Sequence, residues 1–210
     1  MTNLSKSALL IVDVQNDFCP GGAFAVPNGY KVIKPLNTVI KLFLEKMRPI
    51  FFSRDWHPRN TKHFAEFGGK WPVHCVKNTL GAKFHKDLII PSSVRNDIFF
   101  IYKGMDTEDD GYSPFEGEAI LTSSSFIAST IQDISKIYKV TELYIGGLAT
   151  DYCVKASCLD AIKLGYKTYL LLDACRSVNI KPGDEALALN EMANAGVEFI
   201  TTEEVANEAR

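Results

Sequence analysis

The 210-residue sequence lacks a long apolar run, a run rich in lysine and arginine, and a regular spacing of cysteines. No apolar stretch approaches the roughly 20 residues of a membrane span. Residues 1–7 are too short and polar for a signal peptide. With a net charge of −2, the chain is a poor partner for nucleic acids and anionic membranes. Its five cysteines, an odd number, favour a reducing cytoplasm.

Repeats, low-complexity segments and interdomain linkers are also missing, so we interpret residues 1–210 as a single domain. Apolar runs predict six strands, at residues 8–13, 50–53, 97–102, 143–145, 168–173 and 197–200. Helical spacing predicts five helices, at residues 32–47, 127–138 with caps among Ser123 to Ser125, 150–164 before Gly165, 182–195 before Gly196, and 201–210. This alternation predicts an α/β fold with a mostly parallel sheet and helices on both faces.

Sites in such sheets lie beyond the carboxyl ends of the strands. Four reactive side chains occupy matching positions there, namely Asp13, Asp55, Lys103 and Cys153. A buried aspartate or lysine needs a partner, and each of these could be the partner of another. The four strand ends are therefore expected to converge on one site.

Cys153 follows the strand at 143–145, and Thr150 is a good N-cap, so Cys153 is expected in the first turn of a helix. Backbone N–H groups and the helix dipole there favour a thiolate and can hold an oxyanion. Asp13 could accept the thiol proton, and Lys103 could stabilise the charge that develops. The alternative is a structural Asp13–Lys103 ion pair beside an inert, buried thiol.

Residues 54–91 form a long irregular segment that contains all four histidines. Asp55 and His57 lie two residues apart at the end of a predicted strand, so their side chains are expected on the same side. With further imidazoles they suit zinc, iron(II) or manganese(II), with open positions for water or substrate. The ligands predicted from this pattern are Asp55, His57, His74 and His63. Ordinary surface histidines are the alternative; His85 has no such context, and Cys75 is interpreted as a packing residue.

Two aromatic residues and one acidic segment also stand out in the loops. Phe18 and Trp71 could sandwich a flat ring or belong to the loop core. The acidic loop at residues 106–111 is interpreted as a solvated loop.

Five segments carry a resemblance to a known family: residues 11–18 (IVDVQNDF), 54–58 (RDWHP), 71–76 (WPVHCV), 147–154 (GLATDYCV), and Lys103-Gly104 followed by 112–117 (YSPFEG). On these segments the chain resembles the nicotinamidases of the isochorismatase-like cysteine hydrolase superfamily. The Asp-x-His and Trp-Pro-x-His-Cys patterns separate nicotinamidases from other members of that superfamily. The resemblance runs from the first predicted strand to the last.

The resemblance implies a three-layer α/β/α sandwich with a mostly parallel six-stranded sheet. It implies hydrolysis of nicotinamide to nicotinate and ammonia within NAD salvage, with pyrazinamide also accepted as a substrate. Cys153 would form a thioester, Asp13 would transfer protons, and Lys103 would complete the triad. The N–H groups of Ala149 and Cys153 would form the oxyanion hole, next to a cis peptide at Leu148–Ala149.

The resemblance also implies one divalent metal ion, zinc first, with iron or manganese as alternatives. Asp55, His57 and His74 would hold it against the ring nitrogen of the substrate, and Phe18 and Trp71 would flank the ring. His63 is the candidate for a further ligand, a position at which the family varies.

Three other functions compete with this interpretation. The chain could be an amidase acting on another small amide, a regulatory protein that keeps the fold without turnover, or a metallohydrolase with Cys153 as a bystander. The first is disfavoured by the predicted metal ligands, and the second by the complete triad. Self-association stays open, since homo-oligomers are common.

Overall fold

A computed structural model describes residues 4–91, 97–121 and 130–208 of the chain. Its described residues contain one sheet of seven strands, in the order β4-β3-β2-β1-β5-β6-β7. The strands are β1 (Ser7–Val12), β2 (Ile50–Asp55), β3 (Ile98–Lys103), β4 (Glu118–Leu121), β5 (Glu142–Leu148), β6 (Lys167–Arg176) and β7 (Glu198–Ile200). The helices are α1 (Ile33–Glu45), α2 (Ile131–Tyr138), α3 (Lys155–Lys163), α4 (Asp184–Ala195) and α5 (Thr202–Glu208).

The predicted α/β fold with a mostly parallel sheet is confirmed, but the predicted count of six strands is wrong. The seventh strand, β4, pairs antiparallel with β3 at the edge of the sheet. All other pairings in the sheet are parallel. β4 has four residues and begins with Glu118 after Gly117, so it lacks the long apolar run that identifies the central strands.

The sheet is covered on both faces, which gives the three layers implied by the resemblance. All six residues of β1 are buried, as expected for a central strand of a parallel sheet. Leu9 and Ile11 pack in one core cluster with side chains of α1 and α5. Leu10 and Val12 pack in a second cluster with side chains of α2, α3 and α4.

The helix boundaries agree with the sequence in most places. Pro35 lies in the first turn of α1, where its missing N–H is tolerated. Gly196 ends α4 with a left-handed backbone, as predicted. α2 begins at Ile131, with Thr130 and Asp133 forming a capping box. The predicted caps at 123–125 and the predicted helical residue Ile127 lie outside the described residues.

Within the described part of the chain, no helix is both long enough and apolar enough to cross a membrane.

Candidate active site

The site lies where the strand order changes direction. From β1, the chain proceeds through β2 and β3 to one side, and β5 then pairs with β1 on the other side. Such switch points open a crevice at the carboxyl ends of the strands. Asp13 follows β1 directly, and Asp55 and Lys103 are paired at the ends of β2 and β3. The structure thus brings the predicted strand-end residues together.

The ammonium group of Lys103 is the centre of this cluster. Its Nζ lies 2.7 Å from Asp13 Oδ2, 2.5 Å from Asp55 Oδ1 and 3.4 Å from Cys153 Sγ. It also donates to the Gly111 carbonyl at 2.9 Å. The Lys103 side chain is only 1% exposed, so one buried cation contacts both the predicted triad and a predicted metal ligand.

Burial governs the protonation of the thiol and its neighbour. It raises the pKa of the Asp13 carboxyl to about 6, although the charge of Lys103 opposes the shift. Burial also raises the pKa of the Cys153 thiol well above its ordinary value, again against Lys103. An Asp13 oxygen and Cys153 Sγ lie within 4.8 Å of each other. The resting thiol is therefore neutral and has a carboxylate close by to accept its proton.

Lys103 itself stays charged. Burial alone would lower its pKa, but the charges of Asp13 and Asp55 outweigh burial and raise the pKa well above its ordinary value. An ammonium group thus occupies the space between these carboxylates and Cys153. A metal ion is not expected there, although the three side chains could in principle ligate one.

Cys153 is held at a tight elbow between β5 and α3. A single π-helical turn, Thr150–Val154, joins them, and Ala149 caps it with an extended backbone. The expected N-cap at Thr150 is wrong, because the turn starts one residue earlier. The buried Thr150 Oγ1 has no hydrogen-bond partner among the described residues. Cys153 nevertheless lies in the first helical turn, as predicted.

The chain enters this elbow through two unusual backbone positions. The Leu148–Ala149 peptide is cis, as the resemblance implied. Gly147 has a φ of +136°, and a Cβ there would lie 2.0 Å from the Val12 carbonyl oxygen. Only glycine fits this close approach of β5 to β1.

Three of the predicted metal ligands meet beside the triad. One ring nitrogen from each of His57, His63 and His74 lies within 4.8 Å of the others. The Oδ2 atom of Asp55 lies 3.6 Å from His57 Nε2 and 3.8 Å from His74 Nε2. All four side chains are buried.

The second nitrogen of each imidazole fixes its tautomer. Nδ1–H of His57 donates to the Gly104 carbonyl at 3.0 Å, and that of His74 donates to the Pro72 carbonyl at 2.7 Å. Nδ1–H of His63 donates to the Asp110 carboxylate at 2.8 Å. Since these partners only accept, each Nε2 presents a lone pair to the common centre.

The electrostatics of this centre suit a divalent cation. Burial lowers the pKa of His63, and it lowers that of His74 to about 4, so both rings are neutral. Burial alone would raise the pKa of Asp55, but the charge of Lys103 outweighs burial, lowers the pKa and keeps the carboxyl ionised. His57 Nε2 is buried with no hydrogen-bond partner within the described residues. One carboxylate and three imidazoles thus fit zinc, iron(II) or manganese(II).

Aromatic side chains line the pocket that opens onto Cys153 and the histidines. Both sequence-predicted rings, Phe18 and Trp71, are among them. Sequence reasoning missed Phe24, Tyr112 and Tyr152. The Trp71 indole donates to the Tyr112 hydroxyl at 2.8 Å and lies 4.7 Å, centroid to centroid, from the Tyr152 ring. Of these three residues, Tyr152 could have been identified from the sequence, because it directly precedes Cys153.

Gln15 is another residue that sequence reasoning missed. Its side-chain amide donates to the carbonyls of Asp55 at 2.9 Å and Ala82 at 3.0 Å, and its Oε1 accepts from the Asp55 N–H at 2.8 Å. Gln15 is fully buried. It therefore fixes the backbone that carries the Asp55 carboxylate.

The loop at residues 106–111 is solvated, as interpreted, but it also contributes contacts to the site. All four of its acidic residues are exposed. Asp110, however, contacts His63 and lines the pocket, and the Gly111 carbonyl contacts Lys103. The remaining loop residues behave as interpreted: Cys75 is buried in the apolar core, and His85 lies outside the histidine cluster.

A thiol beside a carboxylate and an ammonium group, at the carboxyl edge of a parallel sheet, is an arrangement that can support nucleophilic hydrolysis. Comparison with known proteins identifies the family. The isochorismatase domain matches residues 7–204, and the chain belongs to the isochorismatase family.

Named relatives within the family are similar over nearly their full length. The nicotinamidase of Escherichia coli is 38% identical, with 92% of this chain and 94% of that protein covered. The structure of the Pyrococcus horikoshii pyrazinamidase in complex with zinc superposes with a TM-score of 0.80 at 41% identity, covering 93% of this chain and 99% of that one. The L. infantum PnC1 structure, in complex with nicotinate, has a TM-score of 0.80 at 26% identity and covers 96% of each chain.

Proposed function

We propose that this chain hydrolyses nicotinamide to nicotinate and ammonia, and that it accepts pyrazinamide. The observation that carries the proposal is the contact of Cys153 and Asp13 with one buried lysine, where Cys153 also lines a pocket walled by aromatic rings and histidines. The similarity to nicotinamidases and to a nicotinate-bound structure supports the choice of substrate.

In the proposed reaction, Asp13 accepts the proton of Cys153, and Sγ attacks the carboxamide carbon. The tetrahedral adduct then expels the amide nitrogen, which Asp13 protonates, so that ammonia leaves and a thioester remains. Asp13 next takes a proton from water, whose oxygen attacks the thioester carbon. The C–S bond breaks, which releases nicotinate and returns the proton to the thiol.

Two further groups stabilise charge along this path. Lys103 offsets the negative charge that develops on Sγ when the proton moves to Asp13. The backbone N–H groups of Ala149 and Cys153 hold the oxyanion of each tetrahedral adduct. Their position at the start of a helical turn supports this role.

Asp55, His57, His74 and His63 would hold the metal ion, with zinc as the first candidate. The three inward-facing imidazole nitrogens support this ligand set, as does the zinc in the pyrazinamidase structure. When bound, the ion supplies a Lewis-acidic contact for a ring nitrogen. Phe18 and Trp71 would flank the pyridine ring.

Three broader statements are part of the proposal. Residues 1–210 form one domain, which the single sheet of the described residues supports. The product nicotinate feeds NAD salvage. The protein works in a reducing cytoplasm, in keeping with five cysteines that all carry free, buried thiols.

A panel of three amides tests the substrate. Ammonia release is measured for nicotinamide, pyrazinamide and benzamide, which lacks a ring nitrogen. We expect turnover of the first two and much slower turnover of benzamide, because a site built to bind a ring nitrogen rejects an analogue without one. A zinc-loaded protein that releases no ammonia from nicotinamide would refute the proposed substrate.

A further inference from the structure

We propose that Asp110 is a positioning residue that makes His63 a metal ligand. By accepting the Nδ1–H of His63, it holds the imidazole with Nε2 towards His57 and His74. The proposal rests on the metal site of the proposed function and goes beyond it, since it assigns a role to a residue of the acidic loop.

The three histidines differ in how their rings are held. His57 lies two residues after the end of β2, and its partner is a backbone carbonyl next to the end of β3. His74 is held by the carbonyl of a residue two positions earlier. His63 lies in the irregular segment, and its Nδ1 partner is a side chain. The orientation of His63 therefore depends on a group that a single substitution removes.

The His63 ring is also packed among other rings, including those of Trp71, His74 and Tyr112. It stacks on the His57 ring, with centroids 4.6 Å apart and an interplanar angle of 19°. Stacking fixes the plane of an imidazole but not which nitrogen faces the centre. The hydrogen bond to Asp110 selects that nitrogen, because a carboxylate accepts only from a protonated Nδ1.

Asp110 is itself held against the histidine segment. The backbone N–H of Lys62 donates to the Thr107 carbonyl at 2.8 Å, which ties the acidic loop to the residue before His63. On the other side of Asp110, the Gly111 carbonyl accepts from Lys103. The Asp110 side chain is 58% exposed, yet its backbone is anchored at both ends.

The nature of the partner adds to its effect. A carboxylate on the outer nitrogen makes an imidazole a stronger donor to a metal ion than a carbonyl does. Loss of such an outer partner weakens metal binding by about 10- to 100-fold in other proteins. Asp110 would therefore set both the direction and the donor strength of His63.

Zinc titration against a competing chelator tests this assignment on the full-length, metal-stripped protein. We expect Asp110→Ala to weaken zinc binding by about 10- to 100-fold. Asp110→Asn should weaken it less, since an amide oxygen still accepts the Nδ1–H. Glu108→Gln is the matched control: Glu108 lies in the same loop but pairs with Lys62 at 2.6 Å on the surface. It should leave zinc affinity unchanged.

A double-mutant cycle shows whether Asp110 acts through His63. In a His63→Ala background, Asp110→Ala should weaken zinc binding no further. Two results would overturn the proposal: wild-type zinc affinity in Asp110→Ala, or an undiminished loss of affinity in the His63→Ala background. Zinc affinity is measured without turnover. A protein that binds zinc as expected but does not hydrolyse nicotinamide would therefore refute the proposed substrate without affecting the role assigned to Asp110.

Discussion

At Lys103, one buried ammonium group neutralises a carboxylate from each half of the site. Asp13 belongs to the proposed triad and Asp55 to the metal centre, and both lie within 2.7 Å of Nζ. Neither aspartate residue is more than 3% exposed. Because buried charges need partners, Asp13 and Asp55 both depend on the ammonium group of Lys103.

Replacing this lysine should destabilise the fold as well as stop the reaction. Lys103→Met keeps the approximate volume but leaves two buried carboxylates without their cation, and we expect a loss of about 3–5 kcal/mol in the free energy of unfolding. Urea denaturation of the metal-free protein measures it. Lys62→Met, at an exposed ion pair, is the control and should cost less than about 1 kcal/mol. Equal stability of the two variants would contradict this account of Lys103.

The raised pKa of Asp13 predicts the acid limb of the pH–rate profile. Asp13 must be ionised to accept the thiol proton, and its pKa is about 6, so kcat/KM should fall as the pH is lowered through 6. The fall should approach about tenfold per pH unit, because below its pKa the ionised fraction of Asp13 falls in that proportion. Metal content is determined at each pH, since histidine ligands also lose metal in acid. A constant kcat/KM from pH 7 to 5 at full metal content would exclude Asp13 as the base.

At the scale of elements, the site depends on how closely β3 approaches the segment after β2. Gly104 follows β3 with a φ of +63°, and a Cβ there would lie 2.4 Å from His57 Cε1. The same residue supplies the carbonyl that fixes the His57 tautomer. Glycine is therefore favoured at position 104 for two reasons: a Cβ would clash with the His57 ring, and the backbone has a positive φ.

Gly104→Ala should consequently weaken zinc binding and lower stability, because the His57 ring must move away from the centre. Gly165→Ala is a matched control: Gly165 also has a positive φ, +86°, but nothing lies within 4 Å of its Cβ position. At position 165 the substitution should lower the free energy of unfolding by about 1–2 kcal/mol, because alanine disfavours a left-handed backbone. Zinc affinity should stay unaltered. Chelator competition and thermal unfolding of both variants separate the two effects. Identical zinc affinities would contradict the steric argument.

The elements that carry the site were largely predictable, for a physical reason. Strands buried on both faces are continuous apolar runs, and each ends where a charged or reactive residue appears, as at Asp13 and Lys103. β4 escaped prediction because a short edge strand has no such run. The contact of Asp110 with His63 was not predicted, because it spans 47 positions in the chain and leaves no local pattern.

At the scale of the whole molecule, the strand order accounts for the meeting of distant residues. Parallel strands end at one edge of the sheet, so the reactive groups after β1, β2, β3 and β5 converge whatever their separation in sequence. The sequence alone predicted this convergence. It did not predict the rest of the pocket wall, since Phe24 and Tyr112 come from irregular loops without periodicity.

The central claim is that Cys153, and not metal-activated water, attacks the substrate. Ammonia release from nicotinamide should be compared for the wild type and Cys153→Ala at equal, measured zinc content. We expect the variant to bind zinc normally and to lose activity by at least about 1,000-fold, as nucleophile removal does elsewhere. A zinc-loaded Cys153→Ala protein that keeps most of its activity would contradict this claim and would assign the chemistry to the metal centre.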